Sequence, residues 1–204
     1  MKAIRSKGDE LVIVIYGGAF NPPTKAHLEI YHHVKQHLDC RLFVFLPVSS
    51  HYTKRSLASN HHRYQMLSLL TQGLDDVKVS TMEFEDSDYR GTYQSLQRFQ
   101  EKYPNEEIAF LIGADNLPKL HKWINAKSLL AEFKFIVVNR NQTDIAGTIA
   151  KDPFLTDFSR QFIVLPEFNL SISSSEFREQ LTPELTTKEV YEYIELHTLY
   201  RGQS

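Results

Sequence analysis

The stretch that decides the fold lies near the start of the chain, where residues 11–28 read LVIVIYGGAFNPPTKAHL. Its first five residues are apolar and mostly β-branched, a pattern typical of a buried strand. Gly17 and Gly18 then predict a tight turn whose backbone can approach a ligand closely. Thr24 predicts the N-cap of a helix, which places His27 in the first helical turn. A strand, a small-residue turn and a helix start present backbone N–H groups to phosphate oxygens, so we expect a phosphate site here.

Further short runs rich in β-branched and aromatic residues alternate with helical patterns along the chain. Strands are predicted at 11–15, 42–46, 77–79, 108–112, 135–138 and 162–164. Most of these runs are continuous apolar stretches, which is typical of strands covered on both faces. They predict an α/β fold, a Rossmann-like doubly wound parallel sheet with helices on both faces.

Apolar residues at helical spacing predict the helices between these strands. After Thr24, inward positions recur at Leu28, Tyr31, Val34 and Leu38. A second helix is predicted at about 60–72, with Tyr64, Leu67 and Leu70 inward and Gly73 as its stop. Further helices are predicted at 92–102, 126–133, 174–181 and 187–197.

The composition fits one ordinary domain. The chain has 204 residues, of which 42% are hydrophobic, and no repeat or linker divides it. A formal net charge of -2 gives no electrostatic reason to expect nucleic acid or an anionic membrane as a partner. Residues 1–10 lack a long apolar stretch, and we expect them to be frayed rather than a signal peptide or anchor. Cys40 is the only cysteine, which excludes an intrachain disulfide and favours a reducing, cytoplasmic setting.

The chemistry suggested by the first turn is charge stabilisation on a phosphate. The turn is not a Walker A loop, because no Gly-Lys-Ser/Thr follows the glycines, and it is not a dinucleotide fingerprint. It offers a helix N-terminus and the imidazole of His27, which suit transfer of a nucleotidyl group from a nucleoside triphosphate. Far downstream, residues 172–178 read ISSSEFR, a serine-rich turn with Arg178. We expect the two segments to converge on one polyphosphate.

Several separate motifs, in order along the chain, resemble those of one enzyme family. They read GGAFNP at 17–22, TKAH at 24–27, LIGADNL at 111–117 before Trp123, FIVVNR at 135–140, ISSSEFR at 172–178, and YI and LYR at 193–194 and 199–201. These motifs resemble the nucleotidyltransferase superfamily with the (His/Thr)-x-Gly-His signature. Over nearly the full chain they resemble the family of bacterial nicotinate mononucleotide adenylyltransferases.

The resemblance implies a single nucleotidyltransferase domain over 1–204, in which the helical part 172–204 completes the ATP site. It implies transfer of AMP from ATP to nicotinate mononucleotide, with Mg²⁺ held mainly by the ATP phosphates and water. ATP and the mononucleotide are then the partners, with no nucleic acid and no membrane. The resemblance does not decide whether the protein forms a homo-oligomer.

The resemblance also implies roles for individual residues. His27 contacts the ATP phosphates and stabilises the transition state, with Thr24 in place of the signature's first histidine. The implied ATP-binding residues are Gly17, Gly18, Ala19, Phe20, Gly113, Asp115, Ile172, Ser173, Ser174 and Arg178. The implied mononucleotide-binding residues are Lys54, Thr92, Trp123 and Arg140. Within these sets, Asp115 accepts ribose hydroxyls, Trp123 stacks on the pyridine, and Lys54 approaches the 5′-phosphate. No protein metal ligand is implied.

The chain departs from the family pattern at the helix start and around the acceptor. Ala26 stands where the signature has Gly, which predicts a methyl group where the helix lies closest to phosphate. Residues 90–92 read RGT instead of Ser-Tyr-Thr, and 51–53 read HYT in place of a Pro-Pro-His/Lys-type segment. Alternatives are therefore a preference for nicotinamide mononucleotide or another small phosphate such as phosphopantetheine, or a catalytically impaired nucleotide-binding sensor.

The same residues also allow purely structural interpretations. The two glycines make a strand-to-helix turn without any ligand, and Trp123 packs as a core or interface aromatic. In such interpretations Asp115 caps a helix and residues 173–175 form an N-cap cluster. Arg178 then pairs with a neighbouring glutamate on a solvated face.

The residues bear on two other classes of function, a metal site and a nucleic-acid-binding module. His33 and His37 have i, i+4 spacing with Cys40 close behind, which allows a metal hypothesis. No carboxylate or second histidine pair is placed to complete such a site. A nucleic-acid-binding module is disfavoured, because the chain has no basic stripe.

Overall fold

Six parallel strands form one sheet in the computed structural model, which describes residues 12–50, 57–85, 88–139, 143–165 and 172–201. The strands are β1 (Val12–Gly18), β2 (Cys40–Pro47), β3 (Val77–Val79), β4 (Glu107–Gly113), β5 (Lys134–Val138) and β6 (Phe162–Val164). Their order is β3-β2-β1-β4-β5-β6, and every pairing is parallel. The strand predictions and the doubly wound topology are confirmed.

Burial on both faces explains the continuous apolar runs of the strands. On β1, Val12, Val14 and Tyr16 pack into one hydrophobic cluster, while Ile13 and Ile15 pack into the cluster on the other face. Successive side chains of a strand point to opposite faces, so a strand covered on both sides needs apolar residues at every position. From Val12 to Ile15 the central strand therefore reads VIVI rather than alternating apolar and polar residues.

Helices cover both faces of the sheet. They are α1 (Lys25–His37), α2 (Asn60–Leu70), α3 (Thr92–Lys102), α4 (Ala126–Glu132), α5 (Ile145–Lys151), α6 (Pro153–Asp157), α7 (Ser174–Gln180) and α8 (Lys188–Leu196). Helices α1, α2, α7 and α8 bury side chains in the first cluster, and α3 to α6 bury theirs in the second. In the ranges given above, no helix has the length and apolar character that a membrane span requires.

Several short helices in the second half of the chain are not predicted from the sequence. The 3₁₀ helix Ala114–Lys122 contains Pro118 and follows directly after β4. A 3₁₀ helix has three residues per turn, so it does not produce the 3.6-residue apolar period. Helices α5 and α6 have 7 and 5 residues. Elements of one or two turns show an apolar stripe only weakly, and α5 and α6 are not predicted, although α4 and α7, with 7 residues each, are.

The inward face of α2 differs from the prediction. Leu67 and Leu70 are buried as expected, but Tyr64 is only half-buried, whereas Arg63 and Met66 are fully buried. Apolar periodicity cannot indicate an inward arginine, because charged side chains are rarely buried unless they are paired. The helix is therefore rotated relative to the predicted face, and Arg63 takes the inward place assigned to its neighbour.

Candidate active site

A cavity of about 450 Å³ lies at the carboxyl ends of β1 and β4. The order of the strands reverses between these two, and open α/β sheets bind ligands in the crevice at such a point. The residues singled out in the sequence that line this cavity are Gly17, Gly18, Ala19, Phe20, His27, Thr92, Gly113, Trp123, Ile172, Ser173, Ser174 and Arg178. Segments from both halves of the chain therefore meet in one space.

His27 lies in the first turn of α1, and neighbouring groups fix its imidazole. Its ring centroid is 5.1 Å from that of Phe20 and 5.9 Å from that of Tyr16. The backbone N–H of Thr24 donates to Nδ1 across 2.9 Å. A backbone N–H can only donate, so Nδ1 accepts, and a neutral ring then carries its proton on Nε2. The contacts thus hold His27 as an Nε2–H donor, a tautomer assigned from the hydrogen-bond pattern.

Thr24 contacts His27 and does not line the cavity. It is fully buried and is not among the lining residues. Its Oγ1 lies 2.9 Å from Nδ1 of His27, and its carbonyl oxygen accepts the N–H of His27 at 3.0 Å. Its N-cap position is confirmed. Thr24 therefore orients the imidazole from its buried position at the N-cap of α1.

The glycines of the turn make room for aromatic rings. A Cβ on Gly17 would lie 2.7 Å from Cζ of Phe110, and one on Gly18 would lie 3.0 Å from Cζ of Phe20. Real Cβ atoms essentially never approach other atoms within 3.0 Å, so a side chain at Gly17 forces the Phe110 ring to move. Packing against this ring is therefore a second reason for glycine at Gly17, beside the close approach of a ligand that the sequence suggested.

The C-terminal segment docks on the turn after β1 through hydrogen bonds. Nη1 of Arg178 donates to the carbonyl oxygen of Asn21 at 2.5 Å. The hydroxyl of Ser174 donates to the carbonyl oxygen of Pro22 at 2.8 Å, and that of Thr186 donates to the carbonyl oxygen of Pro23 at 2.9 Å. Oη of Tyr200 donates to Oδ1 of Asn21 at 3.0 Å. These bonds hold Arg178 and Ser174 at the rim of the same cavity as His27.

The contacts of Arg178 do not match the structural interpretation in which it pairs with a neighbouring glutamate. Arg178 is half-buried, and within the described ranges it forms no ion pair with Glu176 or Glu179. Its guanidinium instead bonds backbone oxygens, including that of Ser174 at 3.1 Å. Oγ of Ser173 accepts the N–H of Glu176 at 3.1 Å and so caps α7. A capping serine keeps its O–H as a donor for another group.

The cavity lining also includes aromatic rings and a buried carboxyl group. Trp123 is half-buried and meets the ring of Phe110 edge-on, with centroids 6.1 Å apart. Thr92, the first residue of α3, also lines the cavity. Glu83 lines the cavity as well, is 5% exposed, and accepts from Oγ of Ser95 at 2.8 Å. Sequence reasoning missed Glu83, because nothing in its local pattern distinguishes it from a surface acid.

Some sequence expectations find no place in the cavity lining. Asp115 is exposed and does not line the cavity, whereas its neighbour Asn116 does. Ala26 is 1% exposed, lies on the buried face of α1 and is not a lining residue. Contrary to expectation, its methyl group therefore does not intrude into the cavity. Lys54 and Arg140 lie outside the described residues.

The histidine pair on α1 lacks the ligands of a metal site. Nδ1 of His37 lies 2.8 Å from the carbonyl oxygen of His33, and their rings are 4.5 Å apart. Cys40 is buried, and burial raises the pKa of its thiol to about 11. Among the residues described, no group of three or more His, Cys, Asp or Glu side chains is placed to hold a metal ion.

Comparison with known proteins identifies the family. Residues 15–180 match the model of the family described as Cytidylyltransferase-like. A protein of Acholeplasma laidlawii named "Probable nicotinate-nucleotide adenylyltransferase" is 31% identical over 175 residues, which cover 85% of this chain and 88% of that relative. The chain belongs to the nicotinate-nucleotide adenylyltransferase family. A member from Listeria monocytogenes, which carries the same name, is 31% identical over 91% of this chain and 95% of its own length.

A solved structure agrees with the assignment to the nicotinate-nucleotide adenylyltransferase family. It is the Plasmodium falciparum nicotinic acid mononucleotide adenylyltransferase complexed with NaAD, which is 25% identical with a TM-score of 0.75. The superposition covers 93% of this chain and 97% of that one. The family model spans both His27 and Arg178, so the residues that meet in the cavity belong to the shared domain.

Proposed function

We propose that the protein transfers AMP from ATP to nicotinate mononucleotide, forming nicotinate adenine dinucleotide and pyrophosphate. The observation that carries this proposal is that His27, Arg178 and Trp123 line one cavity at the switch point of the sheet. The hydrogen-bond donors of this lining suit a polyphosphate, and its aromatic side chain suits a planar ring. Family membership and the neighbouring structure complexed with NaAD support the same reaction.

The chemistry needs positioning and charge stabilisation rather than a protein nucleophile. The 5′-phosphate of the mononucleotide attacks the α-phosphorus of ATP, and pyrophosphate leaves with the electron pair of the broken P–O bond. We assign Nε2–H of His27 to an oxygen on which negative charge develops. The guanidinium of Arg178 and the hydroxyls of Ser173 and Ser174 hold the leaving phosphates. Placing both substrates in one cavity makes the attack effectively intramolecular.

The acceptor is assigned to the part of the cavity lining that Trp123 and Thr92 form. Trp123 stacks on the pyridine ring, and the hydroxyl of Thr92 meets its carboxyl substituent. Asp115 is exposed, so its proposed contact with ribose hydroxyls requires a ligand that extends to the cavity mouth. Lys54 and Arg140 stay predictions for the mononucleotide.

Mg²⁺ is proposed as the partner of ATP, carried in by the phosphates and water. We also propose that the protein acts in the cytoplasm on small molecules, without nucleic acid. The lone, buried cysteine and the modest net charge support this setting.

A panel of acceptors tests the proposal. The purified protein is given ATP and Mg²⁺ with nicotinate mononucleotide, nicotinamide mononucleotide or phosphopantetheine, and pyrophosphate release is measured. We expect kcat/KM to be highest for nicotinate mononucleotide, with the dinucleotide as product. A higher value for another acceptor would replace the proposed substrate. Calorimetric binding of ATP with no pyrophosphate from any acceptor would instead indicate a nucleotide sensor.

A further inference from the structure

Arg63 is the largest of the fully buried side chains, and its guanidinium contacts only neutral groups within the described ranges. Nε donates to the carbonyl oxygen of Ala58 at 3.0 Å, and Nη2 donates to Oδ1 of Asn60 at 2.7 Å. Nη1 donates to the carbonyl oxygen of Ala19 at 2.9 Å. The guanidinium also lies 5.3 Å from the centroid of the Phe84 ring.

The charge of Arg63 survives its burial. Burial lowers the pKa of Arg63 to about 10, which still leaves the side chain cationic at neutral pH. Burying a cation is costly, and no carboxylate among the described residues offsets that cost at Arg63. An apolar residue at this position would also leave the acceptors of Ala19, Ala58 and Asn60 without this donor, so a test of Arg63 needs a destabilised control.

Through its bond to the carbonyl oxygen of Ala19, Arg63 contacts the turn after β1. Ala19 and Phe20 line the cavity, whereas Arg63 does not. In a planar trans peptide the carbonyl of one residue and the N–H of the next point in opposite directions. With the Ala19 carbonyl directed at Arg63, the N–H of Phe20 points away from Arg63, to the other side of the turn.

The remaining contacts join this turn to the segment before α2. Ala58 and Asn60 flank the start of α2, and Leu57 lines the cavity. The N–H of Ala58 also donates to Oδ1 of Asn21 at 2.9 Å. One guanidinium therefore fixes the turn after β1 relative to a second wall of the cavity.

We propose that Arg63 is a positioning residue for adenylyl transfer, which directs the Phe20 N–H at the ATP polyphosphate and holds a fixed positive charge behind the turn. This role rests on the proposed function. Arg63 does not touch substrate; it acts through the Ala19–Phe20 peptide. The geometry and the charge are separable, because a lysine keeps the charge and loses the planar fork of donors.

The test compares R63K, R63M and the control M66A in the full-length protein. Met66 is fully buried on the same helix but packs in the hydrophobic cluster, so M66A destabilises the protein without removing a bond to the turn. We expect R63M to lower kcat about 100-fold, the loss typical of one misdirected oxyanion donor, and R63K to lower it about tenfold. M66A should lower the unfolding midpoint while kcat stays within about twofold.

Binding of a non-hydrolysable ATP analogue, measured by calorimetry, separates this proposal from the proposed function. Such binding needs no acceptor, so we expect R63M to bind the analogue at least about tenfold more weakly than the wild type, even if the acceptor proves to be a different phosphate. Equal kcat and equal analogue affinity in a folded R63M would overturn the role. A loss in M66A as large as in R63M at equal destabilisation would also overturn it. Should R63M not fold, wild-type kcat and wild-type affinity in R63K would overturn the role instead.

Discussion

At the residue scale, His27 shows how a short motif sets the state of a side chain. The N-cap of α1 places a backbone N–H against Nδ1, and two aromatic rings hold the imidazole plane. The sequence predicts the helix start and the presence of an imidazole in its first turn. It cannot predict the tautomer, because that depends on a 2.9 Å contact with the Thr24 backbone.

Replacing His27 tests its role in stabilising charge. We expect His27→Ala to lower kcat by about 100-fold or more, the usual loss for one oxyanion donor, while affinity for ATP changes only a few-fold. The measurement is steady-state pyrophosphate release with nicotinate mononucleotide at saturating ATP.

The exposed His32 on the same helix provides a matched control. His32→Ala should keep the wild-type rate, since it removes an imidazole of the same kind from the solvent face of α1. A His27→Ala protein that is folded and turns over at the wild-type rate would remove the imidazole from the mechanism.

At the element scale, the strands could be predicted because both faces of the sheet are buried and each strand is one apolar run. The helices with long apolar stripes could be predicted for a similar reason. Arg63 on α2 and Glu83 before α3 could not, since their burial depends on partners distant in sequence such as Ala19 and Ser95. Polar groups that a fold satisfies internally have no signature in a hydrophobic pattern.

The packing of α8 on α2 brings together a set of histidines. Nδ1 of His62 lies 2.9 Å from Oη of Tyr193, and the ring of His62 is 5.2 Å from that of His197 and 5.7 Å from that of His61. Burial, followed by the charges of His197 and His61, lowers the pKa of His62 below its usual value. The folded protein therefore resists protonation of His62 more than the unfolded chain does.

This shift predicts how stability depends on pH. Since the unfolded chain binds the proton more readily, the His62 contribution is intact above about pH 6.5, the ordinary histidine pKa. Stability then falls as the pH drops from that value towards the lower pKa of the folded state. We expect the free energy of unfolding in urea to decrease more between pH 7.5 and 5.5 in the wild type than in His62→Gln.

His32→Gln serves as the control for this comparison, because His32 is exposed and belongs to α1 rather than to α2 or α8. Its pH dependence should follow that of the wild type. An identical loss of stability on acidification in the wild type and in His62→Gln would show that the contact between α2 and α8 does not sense pH.

At the scale of the whole molecule, the order of the strands determines where the site forms. The sheet reverses between β1 and β4, and the C-terminal segment returns to bond the turn after β1. The parallel fold could be predicted from apolar runs, and the motifs predicted that the C-terminal segment reaches the same site, but the bonds through which that segment docks could not be predicted. The docking depends on hydroxyl and guanidinium bonds to backbone oxygens, such as that of Arg178 to Asn21, which leave no periodic pattern.

The central claim is that the imidazole of His27 and the guanidinium of Arg178 act on one triphosphate. A crystal structure with a non-hydrolysable ATP analogue tests it most directly. We predict phosphate oxygens within about 3.2 Å of both Nε2 of His27 and the Arg178 guanidinium, the limit for such hydrogen bonds. A triphosphate bound elsewhere, or contacted by only one of these two side chains, would contradict the account.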